Sequence, residues 1–353
     1  MEALEVTVRG RVYTAWTSVS ISRSMEAVAG SFQVTAKAKP WFIPPGAPVR
    51  LRVEGADLIQ GYVDSHESSS DRPGALVVSG RDKTADLIDC SAMNDPSEWR
   101  GLQLHEIAAE IADPFGIEVA LETEPGPAFP VFRLQPGEKA WGAIERACRL
   151  RGVLAYTRGD GILLLTAAHD RDHASVPLFE GRNIESFRYL SSLADRFSAY
   201  VVRGQGFGSD EDFGDVVAGV QGDANDAGVT RYRPLAQIAE GAVTGASAQR
   251  RAQWEAAVRA ARSAGLSVLV MGWRETPGGP LWRVNSLVQV EIPSIRVAGT
   301  FRIAATRMTF DERAGTRCDL SLARPDAFHA EPLLTEGENP FAALVAADLD
   351  AAS

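Results

Sequence analysis

Apolar residues fall at every second position through most of the first hundred residues, and this constrains the fold more than any other feature of the sequence. Val6/Val8, Val19/Ile21, Phe32/Val34, Val49/Leu51/Val53 and Ile59/Gly61/Val63 all follow the pattern. A period of two places alternate side chains on opposite faces of an extended chain, so each run predicts a half-buried strand. Gly55-Ala56-Asp57 predicts a hairpin turn, and Asp71-Arg72-Pro73-Gly74 a second turn. Short strands at this spacing predict a small antiparallel barrel or sandwich over residues 1–100. Pro40-Trp41-Phe42-Ile43-Pro44-Pro45 interrupts it. Prolines exclude a central strand there, which leaves a loop packed on the barrel or an exposed aromatic anchor. The strand-like run Ala75–Ser79 ends at Gly80, which predicts a turn at that glycine. Behind it comes Gly80-Arg81-Asp82-Lys83-Thr84-Ala85-Asp86-Leu87-Ile88-Asp89, read as a short helix or tight loop.

From Gly101 the period changes. Leu104, Ile107, Ala108 and Ile111 share one helical face, and Asp113-Pro114 ends the helix. A strand at 117–121, a helix at about 138–151 with Gly152 behind it, and a hairpin across Arg158-Gly159-Asp160-Gly161 follow. Residues 101–178 thus predict a small α+β domain. Residues 179–330 predict a second barrel from strands near 184–189, 197–203, 266–273, 287–292, 301–310 and 316–323. A loop-helix insertion at about 206–265 interrupts it, with 204–228 read as a long featureless loop. The acidic tail 331–353 carries Phe341, Leu344, Val345 and Leu349 and is read as flexible or docked on a partner.

At 353 residues the chain exceeds one compact core, and its length predicts about two to four domains. No apolar run approaches the roughly 18–20 residues that span a bilayer, so no membrane anchor is expected. The acidic start, Met1-Glu2-Ala3-Leu4-Glu5, lacks the basic and apolar regions of a secretion signal, so synthesis and assembly in a cytoplasm are expected. Cys90, Cys148 and Cys318 are odd in number and far apart, which predicts reduced, buried thiols. A net charge of −10 argues against a surface that grips nucleic-acid phosphates. It suits a channel through which DNA slides, and equally a soluble surface.

No catalytic, cofactor-binding or metal-binding residue is assigned. His169 and His173 have the spacing of paired metal ligands, but the acids between them favour a solvated loop. Gly204-Gln205-Gly206-Phe207-Gly208 resembles the start of a nucleotide-binding turn, yet Asp210-Glu211-Asp212 would repel a phosphate. Those acids also miss the spacing of a calcium loop. Serine-hydrolase, phosphate-loop and zinc-peptidase motifs are absent from the sequence.

Several segments together resemble one known family. They are 80–91, the opening strands with Tyr13 and Trp16, Ala29-Gly30-Ser31-Phe32, Asp195-Arg196-Phe197-Ser198, Tyr232-Arg233-Pro234, Met271-Gly272-Trp273, Leu281-Trp282, Asn285 and Pro325-Asp326-Ala327-Phe328. In this order they are similar to the baseplate hub proteins of phage Mu and its relatives. The resemblance implies a non-enzymatic structural virion protein, mainly β with inserted α+β domains and two tail-tube-like barrels. It implies a homotrimeric ring at the tail tip that joins the six-fold tail tube to a three-fold central spike around the DNA channel. Implied partners are the spike, the tube or distal tail protein, the baseplate wedge proteins and the tape measure protein. Gly80, Arg81, Asp82, Asp86 and Asp89 form the structural signature and are expected to fix the chain's exit from the first barrel through hydrogen bonds and ion pairs. Trp41, Phe42 and Phe341 are the candidate interface residues. Two other readings stand beside this one, a tail-tip cell-wall hydrolase and a receptor- or carbohydrate-binding module.

Overall fold

The alternation in the first hundred residues becomes seven strands. They are β1 (Leu4–Val8), β2 (Arg11–Tyr13), β3 (Trp16–Ser24), β4 (Ala27–Lys37), β5 (Pro48–Val53), β6 (Ala56–Ser68) and β7 (Ala75–Asp82). The computed structural model describes residues 4–37, 43–68, 75–205, 219–242 and 244–328. Trp41, Phe42 and Phe341 lie outside them, as do the acids at 210–215 and the tail from 331. The β5–β6 turn forms at Glu54 and Gly55, both with positive φ. The turn expected at Gly80 does not form, because β7 runs on through Gly80 to Asp82.

Helix α1 (Ala85–Asp89) leads into a lobe of β8 (Glu98–Trp99), α2 (Leu104–Ala112), β9 (Val119–Leu121), β10 (Phe132–Arg133), α3 (Ala140–Arg149), β11 (Leu154–Thr157) and β12 (Leu163–Thr166). Gln103 and Glu106 form a capping box at the start of α2, satisfying amides that the helix leaves free. The buried faces of α2 and α3 meet in one core with Leu87, Trp99, Phe129, Phe132 and Leu163. The chain then returns through β13 (Leu178–Phe179) and β14 (Ile184–Ser191).

β15 (Ala199–Gln205), β16 (Val220–Asn225), β17 (Pro234–Ala242) and α4 (Gly245–Arg262) follow. The last strands are β18 (Ala264–Met271), β19 (Leu287–Ile292), β20 (Val297–Asp311) and β21 (Gly315–Ala323). The fold is mainly β, and its largest element is one sheet of thirteen strands in the order β14-β18-β21-β20-β3-β4-β7-β6-β5-β1-β2. Neighbours run antiparallel from β18 to β2. β19 pairs with the first half of β20, and β13 lies parallel to β19. The β-rich beginning and end of the chain join where Ala305–Asp311 pairs with Ser24–Ser18. They share one core, in which Val19, Ile21, Phe32 and Val34 pack with Val268, Ile303, Met308 and Leu320.

The chain divides into two compact units, one of residues 1–189 and 266–323, the other of 190–265 with the segment from Arg324. In the second unit β15 pairs antiparallel with β16 and parallel with β17. β16 lies inside the stretch read as featureless loop. Helix α4 covers one face of this sheet, packing Ala248 and Ala252 on Val202. Gly222 allows the approach, since a Cβ there would stand 2.2 Å from the Gln249 amide nitrogen. The Gln249 side chain also bonds both the Asp223 amide and its carbonyl. Gly222→Ala is therefore expected to lift α4 from the sheet and cost about 3 kcal/mol, read by denaturant titration.

Among the described residues, no helix is long and apolar enough to cross a membrane. The cysteines are free, but Cys90 is exposed rather than buried, because it lies just past the end of α1. Burial pushes the Cys148 thiol up to about 12, which leaves it protonated and unreactive at neutral pH.

Candidate functional site

The signature residues converge where the chain leaves β7 for the α+β lobe. Gly80 lies in β7 opposite Val63, and Gly61 in β6 lies opposite Asp82. The two strands approach closely here. A Cβ on Gly80 would sit 2.1 Å from the Tyr62 carbonyl oxygen and 2.7 Å from the Phe32 ring. One on Gly61 would sit 2.0 Å from the Arg81 carbonyl oxygen.

Asp82 turns inward and is 1% exposed. One carboxylate oxygen accepts the Gly30 amide at 2.7 Å, and the other accepts the Thr84 amide at 3.0 Å and the Thr84 hydroxyl. The Thr84 hydroxyl also lies 2.7 Å from the Val28 carbonyl. β4, the end of β7 and the start of α1 are thus tied to one side chain. Burial raises the Asp82 carboxyl above the ordinary range, while the hydrogen bonds from Thr84 and Gly30 draw it back. Beside this latch the lobe's hairpin docks on the sheet. The Gln60 amide donates to the Gly159 carbonyl at 2.7 Å, and Arg23 donates to the Arg158 carbonyl at 2.7 Å.

Arg81 turns the other way and bridges two carboxylates, with Nε 2.7 Å from Asp64 and Nη2 2.7 Å from Asp89. Its hydrogen bond holds the Asp89 carboxyl below the ordinary range. All three side chains are partly exposed, so each pair contributes at most about 1 kcal/mol. Asp64 carried no signal in the sequence beyond being an acid in a strand. Asp86 is not part of the network. Its side chain makes no hydrogen bond or ion pair among the described residues, and burial followed by the Asp89 charge raises its carboxyl.

A second junction ties the far end of the lobe to the sheet. The buried Arg302 guanidinium donates to the His169 carbonyl at 2.7 Å, to Asp170 at 2.9 Å and to the Asn285 side chain at 2.9 Å. Asn285 in turn donates to the Ala167 carbonyl at 3.1 Å. The His169–His173 segment is the anchored loop at this junction, with His173 Nε2 3.0 Å from the Asp170 carbonyl. Among the described residues, no three His, Cys, Asp or Glu side chains are placed to hold a metal ion. Both junctions are hydrogen-bond networks around a buried ionisable side chain, an arrangement that fixes the position of the lobe on the sheet, though Arg302 Nε is buried there without a partner.

The chain is 33% identical to the baseplate hub protein gp44 of Escherichia phage Mu over 338 residues, which are 92% of this chain and 88% of that protein. The chain belongs to the Mu baseplate hub protein family. Residues 3–82 match the N-terminal domain described for Mu phage baseplate assembly protein GpP-like chains. Residues 84–167 match the second domain of baseplate hub protein gp44-like chains, and 244–331 the fourth domain of Mu phage baseplate assembly protein GpP. The boundary between the first two matches falls on the Asp82–Thr84 latch. The 43 kDa tail protein of prophage MuSo2 from Shewanella oneidensis has a similar structure, with a TM-score of 0.84, 31% identity, and coverage of 93% of this chain and 100% of that one. A likeness of fold alone, at 10% identity and a TM-score of 0.55, extends to the E. coli c3393 protein of the type VI secretion system. It covers 93% of this chain and 79% of that one. That protein is described as structurally similar to the T4 tail proteins gp27 and gp5. The protein is thus a baseplate hub component of the phage virion, structural and not an enzyme.

Proposed function

We propose that three copies close into a ring that adapts the six-fold tail tube to the three-fold central spike and leaves a channel for DNA. The observation that carries this reading is the β3–β20 junction in a chain of the hub family. On this reading the first and last β-rich stretches, joined edge to edge, act as two equivalent halves of each copy, so a three-fold ring presents a six-fold face. On this reading residues 1–100 and 179–330 form the two barrels, the latter interrupted at about 206–265. Residues 101–178 form the inserted lobe, and 331–353 meet a partner. The E. coli protein's likeness to the T4 tail proteins gp27 and gp5 supports a place in the tail. Partners on this reading are the spike, the tube or distal tail protein, the wedge proteins and the tape measure protein. DNA passes without specific binding, consistent with the net charge of −10. Arg81, Asp82 and Asp89 serve assembly by fixing how the lobe leaves the sheet, and Trp41, Phe42 and Phe341 are contacts with neighbours.

Light scattering behind a sizing column tests the ring. The expected mass is that of a trimer, persisting as the protein is diluted. A monomer at every concentration, with the spike protein present or absent, would refute it.

A further inference from the structure

Among the described residues, the three-stranded sheet of the second unit has a helix on one face only. The other face carries an apolar row along its edge strand. Tyr232, Pro234, Ala236 and Ile238 follow one another at a spacing of two, and all four are exposed. Tyr232 is 90% and Ile238 86% exposed, so almost the whole of each side chain meets solvent. The row is about 20 Å long at strand spacing. Ala199 and Val201 of β15 lie beside Pro234 and Ala236 in register and widen it. β15 and β17 run parallel, and parallel strands are ordinarily covered on both faces.

The segment that presents Tyr232 is held firmly from behind. Arg196 grips Asp226 with two bonds of 2.5 and 2.8 Å, and Val229 is buried. The Arg233 amide donates to the Ser198 hydroxyl at 2.8 Å, and its guanidinium donates to the Ala194 carbonyl at 2.9 Å. An exposed tyrosine on a fixed backbone beside arginine has the composition of an interface anchor, and the fixed backbone lowers the ordering cost of binding. Arg231, at the head of the row, is exposed and makes no ion pair among the described residues.

The same chain carries a surface of opposite character. Residues 84–135 hold ten carboxylates against two basic residues, Arg100 and Arg133, and of these acids Asp89 and Glu122 are paired with Arg81 and Arg158 from outside the stretch. Glu106, Glu110 and Asp113 are exposed at helical spacing along α2 and just past its end. Met93, 88% exposed, stands beside them, because Asn94 donates to the Glu110 carbonyl at 2.8 Å. One surface is apolar with a free cation, and the other is acidic with an exposed methionine. Two different, complementary patches on one chain are what a heterologous, ring-closing contact requires.

We infer that the Tyr232–Ile238 row of one copy docks against the Met93 and α2 surface of the next. The inference rests on the ring reading above and adds the surfaces that meet. Light scattering on the full chain compares the wild type with Tyr232→Ser/Ile238→Ser and with Arg231→Glu. Both variants are expected to need at least about tenfold more protein to assemble. Their circular dichroism is expected to match the wild type, since the substituted side chains are exposed. In a Cys90→Ser background, Tyr232→Cys with Met93→Cys is expected to give disulfide-linked copies that neither single variant gives. Undiminished trimer in the serine variant, or no crosslink in a protein that is trimeric, overturns the inference and leaves the ring standing. A wild type that is monomeric throughout overturns both.

Discussion

Gly61→Ala and Gly80→Ala are each expected to lower stability by about 3 kcal/mol or more, enough to shift the melting temperature by about 6–12 °C in a unit of this size. The reason is geometric. A Cβ would meet backbone carbonyl oxygen at 2.0 Å for Gly61 and 2.1 Å for Gly80, closer by more than 1 Å than such atoms approach. A backbone oxygen cannot rotate away as a side chain can. Relief therefore requires β6 and β7 to separate, and that breaks the pairing of Gly61 with Asp82 and of Val63 with Gly80. The same movement pulls Asp82 from its latch. Gly245→Ala is the matched control, since nothing lies within 4 Å of a Cβ there. Differential scanning calorimetry of the three variants checks the expectation. If Gly80→Ala melted with the wild type, the close approach of the strands would carry no energetic weight.

These two glycines also mark where sequence reading fell short. The alternation of β3, β4, β5 and β7 is visible because one face of each strand is buried and the other is not. Gly80 read as a turn because glycine behind a valine run is ordinarily a stop. Its actual cause is the Tyr62 carbonyl across the sheet, which no local pattern records. β16 was lost for a related reason. Its sequence, Val220-Gln221-Gly222-Asp223-Ala224-Asn225, shows little apolar alternation, and it is a strand because α4 lies on Gly222 and Gln249 binds its backbone. The pairing of β20 with β3 joins residues nearly a whole chain apart, and pattern within a window cannot reveal it. Of the signature acids, Asp82 and Asp89 are engaged and Asp86 is not, a distinction set by the direction of each side chain around α1.

Asp82→Ala is expected to cost about 3 kcal/mol at neutral pH, and Asp86→Ala at most about 0.5 kcal/mol. Removing the Asp82 carboxylate leaves the Gly30 amide, the Thr84 amide and one bond of the Thr84 hydroxyl without an acceptor in a site closed to water. Asp82→Asn keeps one acceptor oxygen but turns an amine toward a donor, so its cost should fall between the two. Its dependence on pH separates burial from hydrogen bonding. Burial holds the Asp82 carboxyl above the ordinary carboxylate range, so the folded chain binds this proton more tightly than the unfolded chain does. The stabilising contribution of Asp82 is then full below the unfolded value and is lost as pH rises through the folded one. Asp226 and Glu185, held low by Arg196 and Arg317, act in the opposite sense and lose their contribution as pH falls. Subtracting the Asp82→Asn variant from the wild type removes those common contributions. The cost of Asp82→Asn should therefore grow as the pH is lowered from about 8 to about 4, measured by urea titration at each pH. If the cost shrinks instead, the hydrogen-bond donors outweigh burial, and the latch works by holding an anion rather than by tolerating a buried acid.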